Sequence, residues 1–186
     1  LKGKTYLITG ANTGAGFEAT KVLISKGAKV VILSRNAKKV NDAIHQIKLQ
    51  FKDADIEFIK IDLASLESVR SAANIINNSI EKIDALICNA AIAQVSKQVF
   101  TSDGFESQIA VNHYGHFLLC GLLFDKINNS NGRIVVVSSL GYKMGLKTIK
   151  FEDMNWNKNY HPNNTYCHSK LAQMIFAYEL QNRMQM

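Results

Sequence analysis

Short apolar runs alternate with segments of helical spacing along almost the whole chain. The apolar runs are typical of buried strands and lie at residues 5–9, 29–33, 56–61, 85–88 and 133–138. Apolar residues at intervals of three and four predict a helix that Ser65 caps, and further helices at residues 17–26, 37–50, 104–127 and 164–184. The alternation predicts an α/β fold in which helices cover both faces of a parallel sheet.

The length of 186 residues fits a single domain, so residues 1–186 are interpreted as one unit of folding. A loop of more than twenty residues follows the fifth predicted strand. Loops of that length are usually functional or disordered, which makes this segment a candidate part of a binding site.

The net charge of +7 and the isoelectric point of about 9.3 are compatible with an anionic ligand, an acidic membrane surface or a nucleic acid. The lysines are scattered, and no run of five or six like charges occurs. This distribution favours a solvated basic surface, so we expect no nucleic-acid partner.

The three cysteines, Cys88, Cys120 and Cys167, are an odd number and predict buried reduced thiols rather than a disulfide framework. No spacing of cysteine and histidine suits zinc, so no metal site is expected.

The longest apolar stretch, residues 117–124, is far shorter than the ~20 residues that a membrane span needs. Leu1 almost directly precedes the first strand, so we expect no targeting segment and a location in the cytoplasm or on the cytosolic face of an internal membrane.

A glycine-rich loop joins the first predicted strand to the first helix. One of its glycines permits a tight turn, one lets the backbone approach a pyrophosphate, and one lets the helix pack close to the strand. The helix N-terminus adds free N–H groups and the positive end of a dipole. A plain glycine-rich turn is the alternative, but the strand before and the helix after favour a dinucleotide site formed by Gly10, Asn12, Thr13, Gly14, Ala15 and Gly16.

The end of the second strand bears on the choice of dinucleotide. NAD sites usually place an acidic residue there to hold the ribose hydroxyls. This chain has Ser34, followed by Arg35 and Asn36. No carboxylate repels a 2′-phosphate here, and a guanidinium can bind one through two hydrogen bonds. An ordinary surface arginine is the alternative, and we favour NADP over NAD.

Tyr166 and Lys170 stand four residues apart on the last predicted helix and therefore share a face. A free tyrosine has a pKa near 10, and a nearby ammonium favours the phenolate, so the pair suits proton transfer to or from a substrate oxygen. The pattern is common by chance, and an exposed pair is the alternative. Polar positions after other strands support the functional interpretation, because ligands bind at the carboxyl ends of parallel strands: Asp62-Leu63, Asn89-Ala90-Ala91 and Ser138-Ser139.

Together these motifs resemble the short-chain dehydrogenase/reductase family, from the first strand to the tyrosine helix. Residues 111–119 and 166–172 look like the branch that contains retinol dehydrogenases and the WW-domain oxidoreductase. The resemblance implies a Rossmann-type doubly wound sheet of strand order 3-2-1-4-5. The motifs that carry it are Thr9-Gly-Ala-Asn-Thr-Gly-Ala-Gly16, Asp62-Leu63, Asn89-Ala-Ala91, Asn112, Ser138-Ser139 and Tyr166-Cys-His-Ser-Lys170.

The resemblance also implies catalytic roles at matching positions. Tyr166 would be the general acid/base, and Lys170 would lower its pKa and bind the nicotinamide ribose. Ser139 would donate a hydrogen bond to the substrate carbonyl, and Asn112 would hold a water in the proton relay near Lys170. The implied reaction is the NADP(H)-dependent interconversion of an alcohol and a carbonyl, with a retinoid-like or other lipophilic small molecule as substrate.

Further cofactor contacts follow from the same resemblance. Asp62, followed by Leu63, would meet the adenine, and Asn89 with Ala90 and Ala91 would line the adenosine side. Tyr166 and Lys170 would also contact the cofactor. The family's usual dimer faces match the helices that begin near Gly104 and Asn164, so a homodimer is expected.

Three departures from the family pattern qualify the resemblance. Ala15 replaces the usual isoleucine, and Ala91 replaces a common glycine; both changes are mild. The family continues past the tyrosine helix with a sixth strand, a loop over the substrate and a seventh strand, whereas this sequence ends at Met186. We therefore expect a sheet without its C-terminal strands, and keep as a second hypothesis a cofactor-binding scaffold or regulatory short form without turnover.

The histidines have less specific interpretations. His113 and His116 lie on the long predicted helix and are interpreted as core or interface residues rather than ligands. His161 and His168 flank the start of the tyrosine helix; contact with the substrate is the alternative, and we interpret them as loop or surface residues. Trp156, in the long loop, fits either a substrate wall or packing beneath the loop.

Overall fold

The alternating pattern folds into a five-stranded sheet in the computed structural model, which describes residues 1–184. β1 pairs in parallel with β2 and with β4, and β2 pairs in parallel with β3. The strand order is β3-β2-β1-β4-β5, which confirms the predicted Rossmann-type doubly wound fold. The strands are β1 (Thr5–Thr9), β2 (Lys29–Ser34), β3 (Ile56–Lys60), β4 (Ala85–Cys88) and β5 (Arg133–Val136).

Helices follow the strands as the sequence predicts. A π-helical turn at Ala110–Tyr114 joins α4 to α5, and a 3-10 turn at Phe151–Asp153 lies in the long loop. No helix within residues 1–184 is both long enough and apolar enough to cross a lipid bilayer. The helices are α1 (Gly14–Ser25), α2 (Ala37–Gln50), α3 (Leu66–Ser79), α4 (Ser107–Ile109), α5 (Gly115–Asn129), α6 (Gly141–Met144) and α7 (Pro162–Met184).

Several element ends differ from the predictions. The helix expected from Gly104 begins at Ser107 because Gly104 has a φ of +79° and closes a turn, while the Glu106 carboxylate caps the helix by accepting backbone N–H groups. The last helix begins at Pro162 rather than Asn164, since the fixed φ of proline suits a first helical turn. The strand expected to reach Ser138 ends at Val136, and α6 occupies part of the predicted loop.

The chain forms two compact units. The first comprises Leu1–Asp62, Glu67–Ala90 and Leu119–Val135. Its two central strands are fully buried at Leu7, Ile8 and residues 30–33, as expected for strands covered on both faces. The core of this unit joins the strands to their flanking helices through Ile8, Ala11, Ile24, Val30, Ile32, Val40 and Ile47.

The second unit comprises Leu63–Leu66, Ala91–Leu118 and the described chain from Val136 onward. Its interior is rich in polar side chains, which proteins seldom bury without hydrogen bonds or a function. The buried polar residues of this unit are Glu106, Ser107, Gln108, Asn112, His116, Thr165, His168, Ser169, Lys170 and Gln173.

Candidate active site

The loop between β1 and α1, in the first unit, has the backbone that the glycine pattern predicts. Gly10 has a φ of +67° and Gly14 a φ of +56°, both in the left-handed region that favours glycine. Thr13, the N-cap of α1, makes no side-chain cap hydrogen bond, and the first turn of α1 contains no acidic residue. The helix N-terminus is therefore suited to a phosphate group.

Gly16 is required by close packing within the same unit. A Cβ at this position would lie 2.6 Å from Asn89 Nδ2 and 2.8 Å from the carbonyl oxygen of Gly10. The Asn89 amide is fixed there because it donates to the Thr9 carbonyl oxygen at 2.9 Å, and the Asn89 and Ala90 backbone N–H groups both donate to Thr9 Oγ1. Asn89 thus shapes the loop, and its contact with adenosine stays a prediction.

We expect Gly16→Ala to lower the free energy of unfolding by about 1–3 kcal/mol, the range for an overpacked interior. The contacts that the new methyl group would make include a backbone oxygen, which cannot swing away as a flexible side chain can. Urea denaturation measures the change. Gly121→Ala is the matched control, because a Cβ at Gly121 in α5 meets nothing within 4 Å. Equal stabilities of the two variants would contradict the packing argument.

The end of β2 presents a cation without a carboxylate. Ser34 Oγ donates to Asn12 Oδ1 at 2.9 Å, which ties the end of β2 to the glycine loop. Arg35 is exposed and takes part in none of the ion pairs of the described residues, and the Asn36 side chain caps α2 by accepting from the Lys39 backbone N–H. Contact of Arg35 with a 2′-phosphate stays a prediction.

Three further predicted cofactor positions differ in their surroundings. The Asp62 backbone N–H donates to Ser68 Oγ at 2.9 Å within the first unit. Leu63, in the second unit, is buried, and its carbonyl oxygen lies 2.6 Å from where a Cβ of Gly115 would be. Ala91, also in the second unit, is exposed. Contact of these residues with the adenine side of a cofactor stays a prediction.

Ser139 and Tyr166 converge in the second unit. They meet around Gly141 in α6: a Cβ there would lie 3.2 Å from Tyr166 Cε1 and 3.3 Å from Ser139 Oγ. The Gly141 backbone N–H donates to Ser139 Oγ at 3.1 Å and orients the hydroxyl. The Ser139 hydroxyl and the Tyr166 ring therefore lie on the same side of α6, and their joint action on a substrate oxygen stays a prediction.

Lys170 lies behind the tyrosine on the same face of α7. Its Nζ is 5.9 Å from the centre of the Tyr166 ring, and its side chain is only 2% exposed. The ammonium donates to the Val137 carbonyl oxygen at 3.2 Å and to Gln173 Oε1 at 2.8 Å. Burial lowers the pKa of Lys170 to about 8, because desolvation disfavours the charged form.

Asn112 lies in the π-helical turn and is fully buried. Its amide accepts the Ile92 backbone N–H and donates to the Ile92 carbonyl oxygen and to Ser169 Oγ, each at 2.9 Å. The backbone carbonyl oxygen of Asn112 lies 3.1 Å from His116 Nδ1. The side chain thus joins three segments of the second unit, and its water-holding role stays a prediction.

Comparison with known proteins identifies the family. Residues 4–151 match the family model described as short chain dehydrogenase. The chain belongs to the short-chain dehydrogenase family. Retinol dehydrogenase 13 of Mus musculus is 40% identical over 187 residues, which cover 100% of this chain and 55% of the mouse protein. Retinol dehydrogenase 12 of Homo sapiens is 38% identical over 186 residues, which cover 100% of this chain and 58% of the human protein.

Solved structures show the same fold. An uncharacterised protein from Mycobacterium paratuberculosis superposes with a TM-score of 0.85 at 36% identity, over 99% of this chain and 63% of that chain. A metagenomic short-chain oxidoreductase, solved in complex with NADP, superposes with a TM-score of 0.79 at 21% identity, over 100% of this chain and 77% of that chain. The second likeness concerns the fold alone.

Beyond the short-chain dehydrogenase motifs, the structure corrects the predicted surface position of His168 and adds Gln173 to the candidate site. His168 is not a surface residue: it is fully buried, with its two ring nitrogens 3.1 Å from Trp156 Nε1 and from the Lys150 backbone nitrogen. Trp156 therefore packs beneath the loop. Gln173 contacts Lys170. Its position three residues later on the same helix face is the feature of the sequence that could have indicated this contact.

The described residues contain no group of three or more His, Cys, Asp or Glu side chains that could hold a metal ion.

Proposed function

We propose that the protein is an NADP(H)-dependent oxidoreductase that interconverts an alcohol and a carbonyl compound. The observation that carries the proposal is the convergence of Ser139 Oγ and the Tyr166 ring around Gly141, with the buried Lys170 ammonium 5.9 Å from the same ring. NADP(H), when bound, supplies the hydride exchange. The proposal treats residues 1–186 as one nucleotide-binding Rossmann domain.

In the direction of reduction, three residues bind and protonate the carbonyl oxygen of the substrate. Ser139 donates a hydrogen bond that polarises the carbonyl and holds it beside the tyrosine. Tyr166 transfers its phenolic proton to the same oxygen as the carbonyl carbon is reduced. The Lys170 ammonium stabilises the phenolate that this transfer leaves, and the proton returns when the alcohol is oxidised.

The glycine loop supports binding of the dinucleotide. Gly10 and Gly14 supply the left-handed backbone, and α1 offers an N-terminus without side-chain cap or acidic residue. The pyrophosphate would lie against this N-terminus. Asn12, Thr13 and Ala15 complete the proposed loop contacts.

Arg35 supports NADP over NAD, since it makes none of the ion pairs among residues 1–184 and lies at the end of β2, where NAD sites usually carry an acidic residue. We expect Arg35→Ala to weaken NADPH binding about 10- to 100-fold, because charge-assisted hydrogen bonds contribute about 1.5–3 kcal/mol. NADH binding should stay the same. Nucleotide fluorescence titration measures both affinities, and Arg70→Ala, which removes an exposed arginine from α3, is the control. An equal loss for NADPH and NADH would contradict a 2′-phosphate contact.

A lipophilic substrate is proposed from the side chains that follow Ser139. Leu140, Met144 and Phe151 are 73%, 75% and 78% exposed. Their apolar surface is available to contact a lipophilic ligand, whose burial against it would be favourable. The retinol dehydrogenases among the relatives make a retinoid-like aldehyde the first candidate.

The direct test measures NADPH oxidation with retinal and with a panel of other aldehydes and ketones. Oxidation that depends on the carbonyl compound is the expected result. Thermal stabilisation by NADPH without oxidation for any compound would overturn the enzymatic proposal and favour the cofactor-binding scaffold.

We further propose a homodimer through α5 and α7. Phe117 and Ile175 are 55% and 49% exposed on these helices, and their apolar surface is available for burial against the same helices of a second copy. The cytoplasm or the cytosolic face of an internal membrane stays the predicted location.

A further inference from the structure

Gln173 is a buried amide whose hydrogen bonding is directed at one group. Its side chain is 1% exposed on α7, and its Oε1 accepts a hydrogen bond from Lys170 Nζ at 2.8 Å. Its Nε2 is buried and has no hydrogen-bond partner among the described residues. Among residues 1–184, the Gln173 side chain makes a single hydrogen bond, to Lys170.

This arrangement is unfavourable for the fold alone. A buried N–H group without an acceptor destabilises the folded state, and an apolar side chain of similar size would avoid the penalty. Turning the amide over would not help, because Nε2 would then face the ammonium, which is also a donor. The presence of glutamine at this position is therefore explained by what it does for Lys170.

A neutral acceptor has a specific consequence for the lysine. The ammonium has three N–H groups, of which Gln173 and the Val137 carbonyl oxygen accept two, and the third can bind a ligand oxygen. The titratable groups near the ammonium are Tyr166 on its own helix and His116 on α5. Because no carboxylate of the described residues is paired with the ammonium, burial holds the pKa of Lys170 at about 8.

We propose that Gln173 is a positioning residue that holds the Lys170 ammonium in place behind Tyr166 without neutralising it. The inference rests on the proposed function, since it assigns a purpose to the lysine of that site. A glutamate would bind the ammonium as an ion pair, and an apolar residue would release it to other rotamers.

The test follows the titration of Lys170 by the ¹³Cε chemical shift in protein labelled with ¹³C-lysine, with the resonance assigned by its loss in Lys170→Met. Gln173→Glu should raise the pKa of Lys170 by about 1 to 3, because a carboxylate so close favours the charged form. Gln173→Met has similar size and no strong acceptor, and should lower it. Gln181→Glu adds a carboxylate to an exposed position of α7 and should leave the titration unchanged.

Steady-state kinetics of the wild type and the Gln173 variants complete the test. With NADPH and an active aldehyde, Gln173→Met should reduce kcat about tenfold, change KM little, and shift the pH profile of kcat in the same direction as the lysine titration. The inference is overturned if the lysine titrates identically in the wild type and both Gln173 variants, with circular dichroism showing that all are folded. A lysine that responds as expected in a protein without turnover would contradict the proposed oxidoreductase and leave the positioning of Lys170 supported.

Discussion

Replacement of Tyr166 by phenylalanine is expected to reduce carbonyl turnover with NADPH by about 10²- to 10⁴-fold, the usual contribution of a positioned acid or base. The substitution removes one hydroxyl and keeps the ring that packs against Gly141. The substitution therefore removes the group that donates the proton to the substrate oxygen. NADPH affinity should be largely retained, because the glycine loop and Arg35 are unchanged.

Single-turnover loss of NADPH absorbance with retinal, or with the most active aldehyde of the panel, measures this effect. Nucleotide fluorescence reports binding separately from chemistry. Tyr178→Phe is the matched control: it makes the same change on α7 at a side chain that is 72% exposed, and should behave as the wild type. Wild-type turnover in Tyr166→Phe would rule out the tyrosine as the acid.

The strands and the glycine loop could be predicted from the sequence because they depend on local patterns. The strands β1 and β2 are largely apolar runs, as expected for parallel strands that helices cover on both faces. Gly10 and Gly14 adopt the left-handed backbone that their residue type permits most easily. Likewise Tyr166 and Lys170 share a helix face because a spacing of four residues requires it.

The interior of the second unit could not be predicted, because it depends on contacts between segments distant in the sequence. The π-helical turn places Asn112 against the backbone of Ile92, twenty residues away. The sequence favours a loop or surface position for His168, yet the long loop folds back and brings Trp156 and Lys150 to both sides of the imidazole. Only the fold reveals such burial.

Acid unfolding is the second large effect expected, and it originates in the buried His116 and His168 and the partly buried His113. Burial, as the largest cause, lowers the pKa of His113, His116 and His168 to about 4 each. For His116 and His168, the nearby lysines Lys170 and Lys150 lower it further. The ordinary histidine pKa is about 6.5, so each imidazole binds its proton far more weakly in the folded chain than in the unfolded one.

The direction of the effect follows from which state binds more protons. Above pH 6.5 the three histidines are neutral in both states and their contribution to stability is fully present. As the pH falls from 6.5 towards 4, the unfolded chain takes up protons that the folded chain refuses, and each histidine removes about 1.4 kcal/mol per pH unit. Together they remove about 6 kcal/mol at pH 5, a large part of the 5–15 kcal/mol typical of a domain.

Urea denaturation followed by circular dichroism at pH 7.5, 6 and 5 measures the loss. His113→Phe should reduce the slope by about one third, because it removes one titrating ring and keeps the aromatic contacts with Tyr114, Phe117 and Phe176. It also removes His113 Nδ1, a buried nitrogen without a partner among the described residues, and should therefore stabilise the protein at every pH. His45→Asn, at an exposed position of α2, is the control and should follow the wild type. Parallel pH dependences for the wild type and His113→Phe would show that this histidine does not drive acid unfolding.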